Sequence, residues 1–228
     1  MEIRRSVFLV AFLITVILLL SLLVMGNIMN DARKNHVEEQ MKIISSMSDI
    51  NIYLLMSDLY GDDMACVAFK TKLKEWDRTL WDLGMKLERY RIATEEFQRE
   101  EFYLENKKLF NENQLLYMLF LKKMKEDCEI ETSILSFFFK DAKECDKCDD
   151  QSFILTDIKL RADEEVSIFA YDLDLDLPNI RILADYYDIE DYQLPCVVVD
   201  ENVFCGIRSR QFLTEKICEF NPGLEFCS

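Results

Sequence analysis

In the C-terminal half of the chain the sequence reads Phe137-Phe138-Phe139-Lys140-Asp141-Ala142-Lys143-Glu144-Cys145-Asp146-Lys147-Cys148. Its apolar beginning, part of the run 134–139, predicts a buried strand, and the polar residues that follow predict a loop. The two cysteines then fall in the predicted first turn of a helix, where free N–H groups and the helix dipole stabilise a thiolate. The C-x-x-C spacing is also found in half of a zinc site. Whether the two cysteines form a redox pair or bind a metal therefore has to be inferred from the rest of the sequence.

The sequence around this motif predicts a small α/β domain over residues 130–221. Helices are predicted at 146–161, from Pro178 onward, and from the capping residue Ser209 to about residue 219. Strands are predicted at 134–140, 166–171, 196–199 and 203–205. The element order is therefore β-α-β-α-β-β-α, and a right-handed crossover would make the first two strands parallel neighbours in one sheet.

Three features of this domain together resemble the thioredoxin superfamily. They are the strand-loop-Cys145-Asp146-Lys147-Cys148-helix unit, the Leu194-Pro195 pair before a β-hairpin, and Gly206 before the last helix. The whole chain is similar to uncharacterised membrane-anchored thioredoxin-like proteins of archaeal type, which join one transmembrane helix and a helical segment to such a domain. The resemblance implies a cis Pro195 packed against the motif, Cys145 as the attacking thiolate and Cys148 as the resolving cysteine.

The sequence departs from the family pattern at several places near the motif. No Trp precedes Cys145, no Gly-Pro separates the cysteines, the loop is longer, and Leu194 replaces the usual Thr. The buried acid of the family has no counterpart in the strand 135–139, which puts proton transfer at Cys148 in doubt. The acids around the motif outnumber the lysines Lys143 and Lys147; they are Glu144, Asp146, Asp149 and Asp150. Their field disfavours a thiolate and favours the disulfide, which points to a reductase or isomerase over a strong oxidant.

The remaining cysteines leave several alternatives open. Cys196, directly after Pro195, is a small strand residue, a further redox partner, or a third metal ligand beside Cys145 and Cys148. In an antiparallel helical hairpin, Cys66 and Cys128 would come to the same end, where they either form a disulfide or are buried as thiols. The partners of Cys205, Cys218 and Cys227 cannot be assigned from spacing. No glycine-rich phosphate loop is present, so no cofactor is predicted, and the preferred interpretation includes no metal.

The N-terminal residues 1–26 predict a cytoplasmic stub and a transmembrane signal anchor. The run from Val7 to Met25 contains no charged residue, is long enough to cross a bilayer, and lacks the small-x-small ending of a cleaved signal peptide. Arg4 and Arg5 precede it and favour a cytoplasmic N-terminus. The C-terminal domain would then be extracytoplasmic, in agreement with eight cysteines in 228 residues.

Residues 27–129 predict a helical hairpin or coiled-coil-like segment, and residues 222–228 a tail. Apolar residues follow a heptad seam through residues 66–90, which predicts either a homodimer contact or packing within the chain. Its partner within the chain would be a helix over 94–124, after a turn near residues 91–93. Residues 36–59 would form a third helix or a stalk.

The formal net charge of -16 argues against nucleic acid as a partner, because a phosphate-binding surface needs clustered Lys and Arg. The chain is therefore expected to be a membrane-anchored thiol-disulfide oxidoreductase that acts on exported protein thiols and disulfides and is reset by a redox partner. The alternative is a non-catalytic docking module of the same fold, in which Cys145–Cys148 is a structural disulfide.

Overall fold

A computed structural model describes residues 5–45, 55, 59–93 and 101–228, which divide into two compact units, residues 1–43 and 44–228. Helix α1, Arg5–Ser45, makes up the described part of the first unit and ends two residues beyond it. Its segment Phe8–Met29 is, among the described residues, the one helix long and apolar enough to cross a membrane. The prediction of a membrane-spanning candidate at the N-terminus is therefore confirmed at the level of length and composition. The predicted helix over 36–59 falls partly in α1, and otherwise mostly outside the described residues.

The second unit contains two long helices, which are followed along the chain by an α/β domain. The elements are α2 Asp62–Ala93, α3 Glu101–Cys128, β1 Ser133–Phe139, α4 Cys148–Ala162, β2 Val166–Asp172, α5 Pro178–Tyr186, β3 Cys196–Val199, β4 Asn202–Cys205 and α6 Arg210–Phe220. The strand order is β2-β1-β3-β4; β1 and β2 are parallel and the other two pairings are antiparallel. From β1 onward, the order of helices and strands is the predicted one.

The sheet buries apolar side chains on both faces. On one face, a fully buried cluster joins the sheet to α4 and α6; it includes Leu135, Phe137, Leu155, Ile158, Val197, Leu213 and Ile217. On the other face, the ring of Phe138 lies 5.3 Å from that of Tyr171 and 6.4 Å from that of Tyr187, just after α5. Such two-sided burial explains why β1 is an almost uninterrupted apolar run.

Helices α2 and α3 form an antiparallel hairpin, because the Cys66–Cys128 disulfide joins the start of one to the end of the other. Within it, the ring of Phe69 lies 5.0 Å from that of Phe120, and Trp76 lies 5.9 Å from Tyr117. The turn is not at residues 91–93 as predicted, because α2 continues to Ala93. The seam residues are thus packed against α3 of the same chain, and a homodimer through 66–90 stays a prediction.

The face of α3 that packs includes buried polar residues. Leu116 and Leu119 are 43% and 49% exposed, whereas Asn111 and Gln114 are buried. The reason is that α3 contacts the outer edge of β2 as well as α2, and this edge presents backbone groups that need hydrogen-bond partners.

The buried side-chain amides of Asn111 and Gln114 form hydrogen bonds with the outer edge of β2. The N–H of Asp172 donates to Oδ1 of Asn111 at 2.9 Å, and the N–H of Ala170 donates to Oε1 of Gln114 at 3.3 Å. Lys159 donates to the carbonyl of Val166 at 2.8 Å on the same edge. A free strand edge is a site of unwanted pairing, and α3 covers this one with side-chain acceptors.

Replacing Asn111 by Leu would leave the buried Asp172 N–H without its acceptor. We expect the free energy of unfolding to fall by about 1–3 kcal/mol, the cost of an unsatisfied buried donor. Denaturant titration of the full chain in detergent, with hydrogen exchange at Asp172, measures it. Glu112→Leu, at an exposed neighbour on α3, is the control and should change stability by no more than about 0.5 kcal/mol. Equal effects of the two substitutions would contradict the role of Asn111.

Candidate functional site

The two motif cysteines are joined at the N-terminus of α4. Cys145 and Cys148 form a disulfide with a Cα–Cα distance of 5.4 Å. The helix begins at Cys148 rather than at residue 146, so the prediction that both cysteines lie in the first helical turn is wrong for Cys145. Cys145 lies in a preceding turn, in which its N–H donates to the carbonyl of Asp141 at 2.9 Å. Cys145 is 5% exposed and Cys148 1%, so Cys145 is the more accessible of two largely covered residues.

Pro195 lies at the same end of the sheet as the disulfide. It directly precedes β3, whose first residue, Cys196, is in register with Phe138 near the end of β1. The loop that leaves β1 carries Cys145, so the sheet topology brings the C-x-x-C loop and Pro195 to one edge. The Leu194–Pro195 peptide bond is cis.

All eight cysteines lie in the described part of the chain and all are in disulfides. Cys196 pairs with Cys205 across the β3–β4 hairpin. Cys218 of α6 pairs with Cys227, which ties down the C-terminal tail, where Leu224 is part of the core. Cys196 is therefore not joined to Cys145 or Cys148, and in this oxidised state the three sulfurs are not available together as metal-binding thiolates.

Lys140 connects three segments that surround the motif. Its Nζ lies 2.7 Å from Oε2 of Glu144, 2.9 Å from Oδ2 of Asp191 and 3.6 Å from Oδ1 of Asp174. Asp191 also pairs with Arg181 at 2.9 Å. Lys140 thus fixes the C-x-x-C loop to the segment after β2 and to the turn that leads into Pro195.

The charges around Lys140 shift each other's proton affinity. Hydrogen bonds to Glu144 and Asp191 outweigh the effect of burial and raise the pKa of Lys140. Hydrogen bonds from Lys140 and Arg181 lower the pKa of Asp191. Each group is therefore held in its charged form.

A second link joins α4 to the segment after β4. Gln151, fully buried one turn beyond Cys148, accepts a hydrogen bond from the N–H of Arg208 at 2.7 Å through its Oε1. Arg208 in turn donates to the carbonyl of Cys205 at 2.7 Å. The position of α4, and with it Cys148, is thus tied to the β3–β4 hairpin.

A cavity of about 180 Å³ lies beside Cys148, between the α2–α3 hairpin, the ends of β1 and β2, and α4. It contains the ion pair of Lys107 with Asp172, whose carboxyl group is almost fully buried. Burial opposes the charge on Lys107, but the Asp172 carboxylate and the Tyr103 hydroxyl together outweigh burial and raise the pKa of Lys107. A second ion pair, Lys159 with Asp77 at 2.5 Å, lies in the same cavity.

Sequence reasoning identified the cysteines and Pro195 but missed these supporting residues. Lys140 and Gln151 stand in the right segments, directly after β1 and one turn after Cys148, but their partners are far away in the sequence. Lys107 and Asp77 lie on the hairpin, which the sequence pattern did not connect with the motif. A buried charge pair has no sequence signature of its own, because a Lys or an Asp considered alone is expected to be exposed.

Comparison of the chain with models of protein families gives no match, and comparison with curated proteins gives no significant match.

Replacing Lys140 by Met should lower the free energy of unfolding at pH 7 by about 1 kcal/mol, the upper range for exposed ion pairs. Because the pKa of Asp191 is lowered in the folded state, its contribution is present above the unfolded pKa of about 3.9 and is lost as pH falls through the folded pKa. The difference between wild type and variant should therefore shrink as the pH falls below the unfolded pKa of about 3.9.

Unfolding curves at several pH values measure this difference. Lys143→Met is the control, since Lys143 is an exposed lysine of the same loop and should show neither the loss at pH 7 nor the convergence in acid. A constant difference between wild type and Lys140→Met at all pH values would exclude the ionic explanation.

Proposed function

We propose that the α/β domain of residues 130–221 is thioredoxin-like, and that the chain catalyses thiol-disulfide exchange on exported proteins through Cys145 and Cys148. The observation that carries the proposal is the position of the Cys145–Cys148 disulfide: it spans the start of α4, directly after a central strand, where the helix N-terminus favours a thiolate. The β-α-β-α-β-β-α order with the strand order β2-β1-β3-β4 supports the assignment.

In the reducing direction, the Cys145 thiolate attacks one sulfur of a substrate disulfide. An S–S bond forms between Cys145 and the substrate, and the substrate's second sulfur leaves as a thiolate and takes up a proton. The Cys148 thiolate then attacks Sγ of Cys145, which releases the first substrate sulfur as a thiol and restores the Cys145–Cys148 disulfide. The substrate gains two electrons and the protein loses them, so a dithiol redox partner has to reduce Cys145–Cys148 again.

The charges near the motif support a reductase or isomerase over a strong oxidant. Asp146, Asp149 and Asp150 are exposed around the disulfide, and their field opposes a thiolate at Cys145. Glu144 contributes less to that field, because Lys140 neutralises it at 2.7 Å. A stabilised disulfide means a reduced form that donates electrons readily.

The location we propose is a membrane with the C-terminal domain on the extracytoplasmic side. A single apolar segment, Phe8–Met29, supports the anchor. Four disulfides support an oxidising compartment, because such bonds do not persist in a reducing cytosol.

A docking module is the second candidate, and one observation favours it. Both motif cysteines are buried from solvent, as the cysteines of a purely structural disulfide would be. The two candidates differ in the stability of the disulfide against reduction.

Equilibration of the full chain in detergent with glutathione buffers, followed by mass spectrometry of the Cys145–Cys148 peptide, gives the reduction potential. We expect a value in the range of redox-active pairs, about −120 to −270 mV. A value below about −300 mV would identify a structural disulfide and favour the docking module.

Substitution of the resolving cysteine gives an independent test. Cys148→Ser should accumulate a mixed disulfide between Cys145 and a protein substrate, because nothing then releases it, and Cys145→Ser should lose exchange altogether. The double variant Cys218→Ser/Cys227→Ser removes a disulfide at the other end of the domain and should retain exchange. Unchanged turnover in Cys145→Ser would refute catalysis by this motif.

A further inference from the structure

We infer that the cavity beside Cys148 is a docking pocket for one aromatic side chain of a positively charged segment of the substrate protein. The inference rests on the proposed exchange function and names the class of substrate that the site would select. It is carried by the size, the lining, the charge and the position of the cavity.

The size and the aromatic part of the lining fit a single ring. A cavity of about 150 Å³ is large enough to bind benzene, and this one measures about 180 Å³. Aromatic side chains from three elements line it, among them Trp81 of α2, Phe110 of α3 and Phe139 of β1. Rings pack favourably edge-to-face against such walls.

The charges in the cavity favour a neutral ring inside it and cationic residues around it. The two buried ammonium groups, of Lys107 and Lys159, already contact the carboxylates of Asp172 and Asp77. A charged side chain would have to displace one of them. Among the described residues, five carboxylates and three lysines line the cavity: Asp77, Glu88, Asp141, Asp149, Asp172, Lys107, Lys140 and Lys159.

The surroundings extend this negative balance. Asp146 and Asp150, next to the disulfide, are exposed, and the whole chain carries a formal net charge of -16. A basic segment is therefore attracted to this surface from a distance and held at the rim.

The position of the cavity couples docking to chemistry. Cys148 lies in its wall, and two of its other lining residues, Ala142 and Ser152, are exposed. A ring inserted there holds the flanking residues of its own chain close to the Cys145–Cys148 pair. Since α2 and α3 supply one wall, the hairpin takes part in substrate selection.

Binding of cysteine-free peptides to the full chain in detergent tests docking without chemistry. The probe is a fluorescent decapeptide with one Phe flanked by Lys, with Ser in place of Cys; two companions carry Ala for Phe, or Glu for Lys. By fluorescence anisotropy, we expect the Ala peptide to bind at least tenfold more weakly. The Glu peptide should also bind at least tenfold more weakly at low salt, with a smaller difference in high salt because exposed charges are screened.

A variant at the mouth locates the site. Ser152→Trp places an indole at an exposed position at the rim, and the preference for Phe over Ala should then fall to twofold or less. Ile182→Trp adds the same group at an exposed position of α5 that does not line the cavity, and should keep the preference.

Equal binding of the Phe and Ala peptides by the wild type, or a preference that survives in Ser152→Trp, would overturn the docking proposal. Versions of the same three peptides that carry Cys instead of that Ser, oxidised to mixed disulfides, then serve as substrates of the reduced protein. Their kcat/KM values are compared, and we expect the same order of preference. Selective binding without any exchange would refute the proposed catalytic function and leave the docking pocket standing.

Discussion

The outer edge of β2 is the constraint on which the rest of the second unit depends. The parallel strand β2 lies at the end of the sheet, so its outward N–H and C=O groups need partners that the sheet does not provide. Helix α3 brings Asn111 and Gln114 to this edge, and α4 brings Lys159. The hairpin therefore completes the sheet, which a spacer between membrane and domain would not do, and residues 44–228 form one compact unit as a result.

The same geometry explains the electrostatics of the motif. A polar group buried without a partner costs several kcal/mol, so each charge carried onto the sheet by the hairpin is matched by an opposite one. Lys107 meets Asp172 at the end of β2, and Asp77 meets Lys159 of α4. At the surface, Lys140 pairs with Glu144 and Asp191, Arg181 pairs with Asp191 as well, and Asp146 and Asp150 next to the cysteines are exposed. The Cys145–Cys148 disulfide therefore lies between buried ion pairs on one side and exposed acidic residues on the other.

Much of the fold was predictable from the sequence because it depends on local patterns. The β1 strand and the capping of α6 by Ser209 follow from an apolar run and from a hydroxyl at the position that accepts the N–H of Phe212. The packing face of α3 was not predictable. Leu116 and Leu119 are exposed and Asn111 is buried, and a helical pattern does not reveal that the neighbouring element is a strand edge in need of acceptors. The cysteine pairings and the contacts of Lys140 depend likewise on segments brought together only by folding.

The interdependence of hairpin and sheet bears on how such a chain can be selective. A C-x-x-C motif at a helix N-terminus supplies chemistry but has little surface with which to distinguish one disulfide from another. Here the helices that satisfy the β2 edge also enclose a cavity whose wall contains Cys148. Because the Cys66–Cys128 disulfide joins residues 62 apart in sequence, it restricts separation of the two helices where α2 begins and α3 ends. The wall is thus held in place by the same bonds that stabilise the fold, and the recognition that we propose at the cavity would need no additional element.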